Sequence, residues 1–80
     1  MPRPLWLLEA PELLREVGSK PHYRDEPLMV IAGPEIIESG WWNGDIKRDY
    51  FVAQTPAQST YWIFRDRRQP CAWYLHGIFG

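Results

Sequence analysis

From residue 28 onward, apolar residues recur with a period of two, the spacing that sends alternate side chains to opposite faces of a strand. Residues 28–31 (Leu-Met-Val-Ile) are apolar and β-rich. Ala32, Gly33 and Pro34 make a turn or bulge, and residues 36–39 continue as strand, so that a hairpin or a sharply bent strand is predicted. Asn43-Gly44 favours a turn with positive φ, and its neighbours Trp42 and Asp45 make a longer loop compete with a two-residue hairpin. Residues 49–54, 59–66 and 72–79 then read as three strands, joined by a turn at 55–58 and a charged turn at 67–70. Together they predict an antiparallel meander.

Within that meander both faces are apolar. Tyr61 and Ile63 share one face, Trp62 and Phe64 the other; in the last strand Trp73, Leu75 and Phe79 oppose Tyr74, His76 and Ile78. An open sheet with one wet face would alternate more cleanly with polar residues. The pattern therefore predicts a mainly β fold: a small antiparallel sheet or partly closed barrel of about five strands, with at most one short helix near the N-terminus. The N-terminal part is less regular. Pro2-Arg3-Pro4 is stiff and extended, residues 5–8 read as a short strand or apolar anchor, and Pro11 closes it. Residues 12–17, boxed between Pro11 and Pro21, suit one or two helical turns and irregular extended chain equally. The chain is one small β domain over 1–80, with residues 1–20 read equally as an extended lead-in.

Composition narrows the function classes. At 80 residues the chain buries only about 60–65% of its unfolded surface, but five Trp, four Tyr and three Phe raise the apolar area per residue. Nine basic and ten acidic residues give a net charge of −1, so no bulk attraction draws the chain to nucleic acid or an anionic membrane. A single cysteine, Cys71, excludes an internal disulfide and a multi-cysteine zinc site, and fits a reducing cytosol. No apolar run approaches the roughly 20 residues of a membrane helix, and the Pro-Arg-Pro start does not resemble a signal peptide.

Catalytic signatures are missing from the sequence. No serine stands in a Gly-x-Ser-x-Gly frame and no glycine-rich phosphate loop is present. His22 and His76 lack partners at metal spacing; His76 reads as a half-buried strand residue with a hydrogen-bonded ring. Asp45, Asp49 and Asp66 could surround an ion, but turn and strand-start roles, with Lys47, Arg48 or Arg65 pairing across strands, suit their spacing better. No metal, cofactor or catalytic residue is assigned.

Binding is better represented. Trp41 and Trp42 are adjacent, so on a strand they cannot both enter one core. One ring caps the sheet, covers an edge or stands out as a contact surface, unless the chain wraps at this corner and buries both. Trp, Tyr and Arg dominate binding hot spots, and Trp41, Trp42, Arg48 and Tyr50 are the candidate partner-binding residues. The apolar terminal strand, residues 72–79, offers a second route, through addition of a partner strand at an open sheet edge. The alternative is a stacking platform for single-stranded DNA. Trp41, Tyr61, Arg65 and Arg67 lead that set, with Trp42, Tyr50, Tyr74, Lys47, Arg48 and Arg68 supplying further rings and cations.

Four segments also carry a family resemblance: residues 33–45 (Gly-Pro-Glu-Ile-Ile-Glu-Ser-Gly-Trp-Trp-Asn-Gly-Asp), 48–53 (Arg-Asp-Tyr-Phe-Val-Ala), 62–65 (Trp-Ile-Phe-Arg) and 73–79 (Trp-Tyr-Leu-His-Gly-Ile-Phe). In order and spacing they resemble the C-terminal region of ImuB proteins, bacterial relatives of the Y-family translesion polymerases, over residues 20–80. Arg-Pro-Leu-Trp-Leu-Leu at 3–8 looks like the way that region begins. The resemblance implies a non-catalytic adaptor in DNA-damage-induced mutagenesis, part of the SOS response. Its implied partners are a RecA-related accessory protein (ImuA-like) and an error-prone replicative-type polymerase. It further implies a cytoplasmic, nucleoid-associated place, with the domain itself a monomer that contacts no membrane. The chain has no room for the polymerase body, and no clear copy of the family's clamp-binding motif is present, so clamp binding does not carry over. It fits a piece of a longer ImuB-like protein and a free-standing domain equally.

Overall fold

The structure is a computed structural model that describes residues 2–39, 45–68 and 70–80. Every regular element among the described residues is a strand: β1 (Trp6–Leu13), β2 (Arg15–Val17), β3 (Lys20–Tyr23), β4 (Glu26–Pro27), β5 (Met29–Ser39), β6 (Ile46–Gln54), β7 (Thr60–Asp66) and β8 (Ala72–Phe79). Five form an antiparallel sheet in the order β1-β8-β7-β6-β5, and β2-β3-β4 form a small second sheet. Strands β6 to β8 are the predicted three-strand meander, and β5 is the sharply bent strand; β8, the apolar terminal strand, lies between β1 and β7 and so offers no open edge for a partner strand. β1 returns to pair with β8, setting Trp6 opposite Ile78 and Leu13 opposite Tyr74.

The larger sheet stays open, so the barrel alternative is not realised: β1 and β5 are its two ends and do not pair with each other. Its two apolar faces have different covers. On one, Leu14, Leu28, Ala53, Ile63 and Leu75 form a buried core against which Tyr23 packs, so the small sheet closes this side. On the other, Tyr50, Val52, Trp62 and Phe64 bury one another together with Ile37, Tyr74 and Phe79. Ile63 and Leu75 have no exposure and Phe64 only 1%; burying side chains of this size stabilises the fold by about 1.5–3 kcal/mol each.

Residues 12–17 are extended, which resolves the helix-or-extended alternative. Arg15 faces His22 and Val17 faces Lys20 in an antiparallel pair, giving the segment backbone partners that one isolated helical turn would lack. Pro11 does not end the first strand. It lies inside β1, between Leu7 and Glu12, where the register with β8 shifts, and an end strand tolerates a residue with no N–H to donate.

Register shifts in β5 and β8 also shape the sheet. In β5 the register against β6 shifts on both sides of Ala32, so the Ala-Gly-Pro segment bends one continuous strand. Gly33 has φ of +116°, and a Cβ there would lie 2.7 Å from the carbonyl oxygen of Tyr50; only glycine meets both conditions. In β8, Ile63 faces Leu75 while Trp62 faces Gly77, leaving His76 as the extra residue. This corrects the face assignment of the chain end. Strict alternation places Phe79 with Leu75, but the bulge turns it to the side of Trp62 and Tyr74. The 55–59 turn is closed from within, since Thr55 N donates to Ser59 O (2.9 Å), Gln58 N to Thr55 O (2.8 Å) and Ser59 N to Thr55 Oγ1 (3.2 Å).

No helix among the described residues is long and apolar enough to cross a membrane. The predicted Asn43-Gly44 turn lies outside the described residues.

Candidate interaction surface

The aromatic face of the sheet is built from neighbouring strands. β6 supplies Arg48 and Tyr50, β7 supplies Trp62 and Phe64, and β8 supplies Tyr74 and His76. Register does the placing: Tyr50 lies opposite Phe64 and Phe64 opposite Tyr74, so the rings meet as cross-strand pairs. Tyr50 stacks on Trp62 with centroids 4.1 Å apart, Trp62 on His76 at 5.4 Å, and Phe64 on Tyr74 at 5.1 Å. His76 joins this stack on the Tyr74 face, where alternation along β8 places it.

Polar groups thread the same cluster. Arg48 Nη1 donates to Tyr50 Oη (3.2 Å), and its guanidinium lies 4.3 Å from the centre of the Phe64 ring. Because arginine only donates, the tyrosine oxygen accepts from Arg48 and its own hydrogen is free for His76 Nδ1, 2.7 Å away. With that hydrogen directed at Nδ1, the proton of the neutral His76 ring is assigned to Nε2. Burial lowers the proton affinity of its ring below the ordinary imidazole range, and the Arg48 charge lowers it further. Burial likewise raises the Tyr50 hydroxyl, so both groups stay neutral near pH 7. The half-buried, hydrogen-bonded His76 expected from the sequence is what forms.

An N-terminal strap crosses this face. Pro4 lies against Gly77, where a Cβ would sit 2.5 Å from Pro4 Cγ, and the Arg3 guanidinium lies 5.4 Å from the Trp62 ring. Arg3 also forms a two-pronged ion pair with Glu35 on β5, Nη2 to Oε2 being 2.6 Å. The strap therefore ties the two end strands together across the aromatic cluster.

The candidate residues from the sequence separate in space. Arg48 and Tyr50 are neighbours on the aromatic face, but Tyr50 is only 2% exposed and serves as packing. Trp41 and Trp42 lie outside the described residues. Of the DNA-platform set, Tyr61 is on the opposite face, edge-on to Tyr23 at 5.2 Å, so it shares no platform with Tyr50 and Tyr74. Arg65 is exposed. Arg67 is paired with Glu38 and with Asp49, its Nε 3.0 Å from Asp49 Oδ1. The cation beside Asp49 thus comes from the β7–β8 turn and not from Lys47, Arg48 or Arg65, because the turn folds back over the end of β6, where Arg67 N donates to Lys47 O. Arg68 in turn clasps the buried Asp66, with Nη2 to Oδ2 at 2.9 Å and Nε to Oδ1 at 3.1 Å; these bonds hold the carboxyl below its usual range. Among the described residues, no three His, Cys, Asp or Glu side chains gather where they could hold a metal ion.

The exposed apolar residues gather at the two open edges. On and beside β1, Leu5, Trp6, Leu7 and Leu13 are each more than 60% exposed; on β5, Met29 is 71% and Ile36 62% exposed, with Val30 and Ile31 also open. Trp6, exposed beside the strap, Met29 and Ile36 are contact candidates that sequence reasoning misses. Period-two apolar runs at the ends of a predicted sheet are their only signal, because the sequence does not say which strands end the sheet.

Comparison with models of known protein families, with curated proteins and with solved structures found no match to this chain.

Proposed function

We propose that this domain is a non-catalytic protein-interaction module, the docking part of an ImuB-like adaptor that holds an ImuA-like accessory protein and an error-prone polymerase. The observation that carries the docking role is the concentration of exposed Leu, Trp, Met and Ile side chains on and beside the two end strands, each of which has one edge without a partner strand among the described residues. Unpaired strand edges bearing large apolar side chains are surfaces that a partner strand or a partner's apolar patch completes. The partner identities come from the resemblance in residues 33–45, 48–53, 62–65 and 73–79.

A DNA platform is the competing reading. It draws less support, because Arg67 and Arg68 are engaged with carboxylates and Tyr61 faces away from the other rings. The test is titration of the domain with the accessory protein, the polymerase and labelled single-stranded DNA at two salt concentrations. Trp6→Ala and Ile36→Ala variants, confirmed as folded by circular dichroism, run alongside. A docking module binds a protein partner, and the exposed-edge variants weaken that binding by about tenfold or more, as truncated hot-spot residues do. Binding to DNA alone, with a steep log-linear salt slope, transfers the function to the template strand and overturns the proposal.

A further inference from the structure

The junction of the two sheets holds a cleft of about 660 Å³. Pro21, Pro27, Leu28, Pro56 and Trp73 are among its walls. Leu28 is 4% exposed and its N–H donates to Pro21 O (3.0 Å), fastening the small sheet to the start of β5. Three prolines with fixed φ and the internally bonded 55–59 turn make the walls stiff, so the cleft exists before anything enters it and little ordering entropy remains to be lost on binding.

The charge of the lining selects the guest. The chain is slightly acidic overall, yet among the described residues no carboxylate lines the cleft; Lys20 is the one charged residue of that lining, joined by the amides of Gln54 and Gln58. No ion pair among the described residues uses Lys20. At the cleft mouth Met29 and Val30 stand exposed on β5, whose outer edge pairs with no strand of this chain among the described residues. An extended backbone can add along that edge while one of its side chains enters the cleft.

We infer that this cleft receives one large apolar side chain from an extended segment of a partner protein, and that the segment carries a carboxylate beside that anchor for Lys20 to meet. The inference deepens the docking role proposed above and rests on it. The volume leaves room for a bulky anchor together with the backbone beside it. The lone cation gives the contact its direction of charge.

Three short capped peptides test it on the intact chain, each with a central phenylalanine, flanked by aspartates, by lysines or by serines. Binding is followed at the Met29 methyl and Trp73 indole resonances. The aspartate-flanked peptide is expected to shift both signals and to bind about fivefold or more tighter than the lysine-flanked one, with Lys20→Glu inverting that order. Met29→Asp, at an exposed site that leaves the fold intact, is expected to abolish binding. Unmoved signals with all three peptides, or an order that Lys20→Glu leaves unchanged, would overturn the assignment. The two readings fail separately. Peptides seated in the cleft of a domain that captures neither the accessory protein nor the polymerase uphold the cleft and remove the mutasome role. Capture of those proteins, undiminished by Lys20→Glu and Met29→Asp, removes the cleft and leaves the docking role.

Discussion

Tyr50→Phe deletes one oxygen from the centre of the aromatic face and nothing else. That oxygen accepts from Arg48 at 3.2 Å and gives its hydrogen to His76 Nδ1 at 2.7 Å, in a residue only 2% exposed. The phenylalanine ring keeps the stack on Trp62, so no cavity term enters. What is lost is a pair of hydrogen bonds, one with a charged donor, and what remains is a half-buried imidazole nitrogen without its partner. Together these should cost about 2 kcal/mol, which for a domain of this size lowers the melting temperature by about 10 °C. The pH dependence carries the more specific signature. His76 binds its proton less readily when folded than when unfolded, so between about pH 6.5 and its lowered folded value the unfolded chain holds more protons and stability falls as pH falls. In the wild-type protein a protonated Nδ1 no longer accepts the hydrogen that Tyr50 donates, so this bond's contribution fades as His76 takes up its proton. The stability gap between the two proteins should therefore be widest near neutral pH and narrow on acidification. Urea denaturation followed by circular dichroism, across that pH range, measures it. Equal stability at neutral pH, or a gap that widens in acid, would refute the hydrogen-bond direction assigned to this network.

Two further perturbations probe other parts of the fold. Gly77→Ala places a Cβ 2.5 Å from Pro4 Cγ and 2.9 Å from Trp6 O, so the strap and the start of β1 must lift; faster amide hydrogen exchange over residues 5–8, with β5 to β8 still protected, is the expected result. Asp66→Asn removes the charge that Arg68 clasps through its backbone N–H, Nε and Nη2, and should cost about 1–3 kcal/mol at neutral pH. Because the Asp66 carboxyl is held below its usual range, the contribution is present above that range and fades as pH falls through the lowered value, so denaturation midpoints of variant and wild type should converge in acid.

Much of this protein is legible along the chain. The alternation from residue 28 onward determines β5 to β8, since a repeat of two suits a pleated strand and no helix; Gly33 and Pro34 mark the bend, and the 55–58 turn stands where its proline places it. The last strands agree closely, 72–79 being the observed β8 and 59–66 differing from β7 by one residue, whereas β6 begins three residues before the expected 49 and β1 runs through Pro11 to Leu13. Local propensity and side-chain period are nearest-neighbour properties, so a sequence carries them openly.

Other features depend on residues distant in sequence, and only the tertiary structure decides them. The bulge at His76 exists because Trp62 pairs with Gly77 and Ile63 with Leu75, and it moves Phe79 to the other face against strict alternation. The sheet stays open because β2 to β4 cover one face and the Arg3–Glu35 strap crosses the other, which supplies the burial that a barrel would have provided by closing. Arg67 reaches Asp49 through the fold-back of a turn, and Lys20 comes to line one cleft with Trp73 and Pro56 only at the seam of two sheets. A sequence determines which side chains are available and how each strand alternates. Which edges remain unpaired, which cations are already neutralised and where a cleft opens are set by long-range packing, because each is a relation between segments that the chain brings together only on folding.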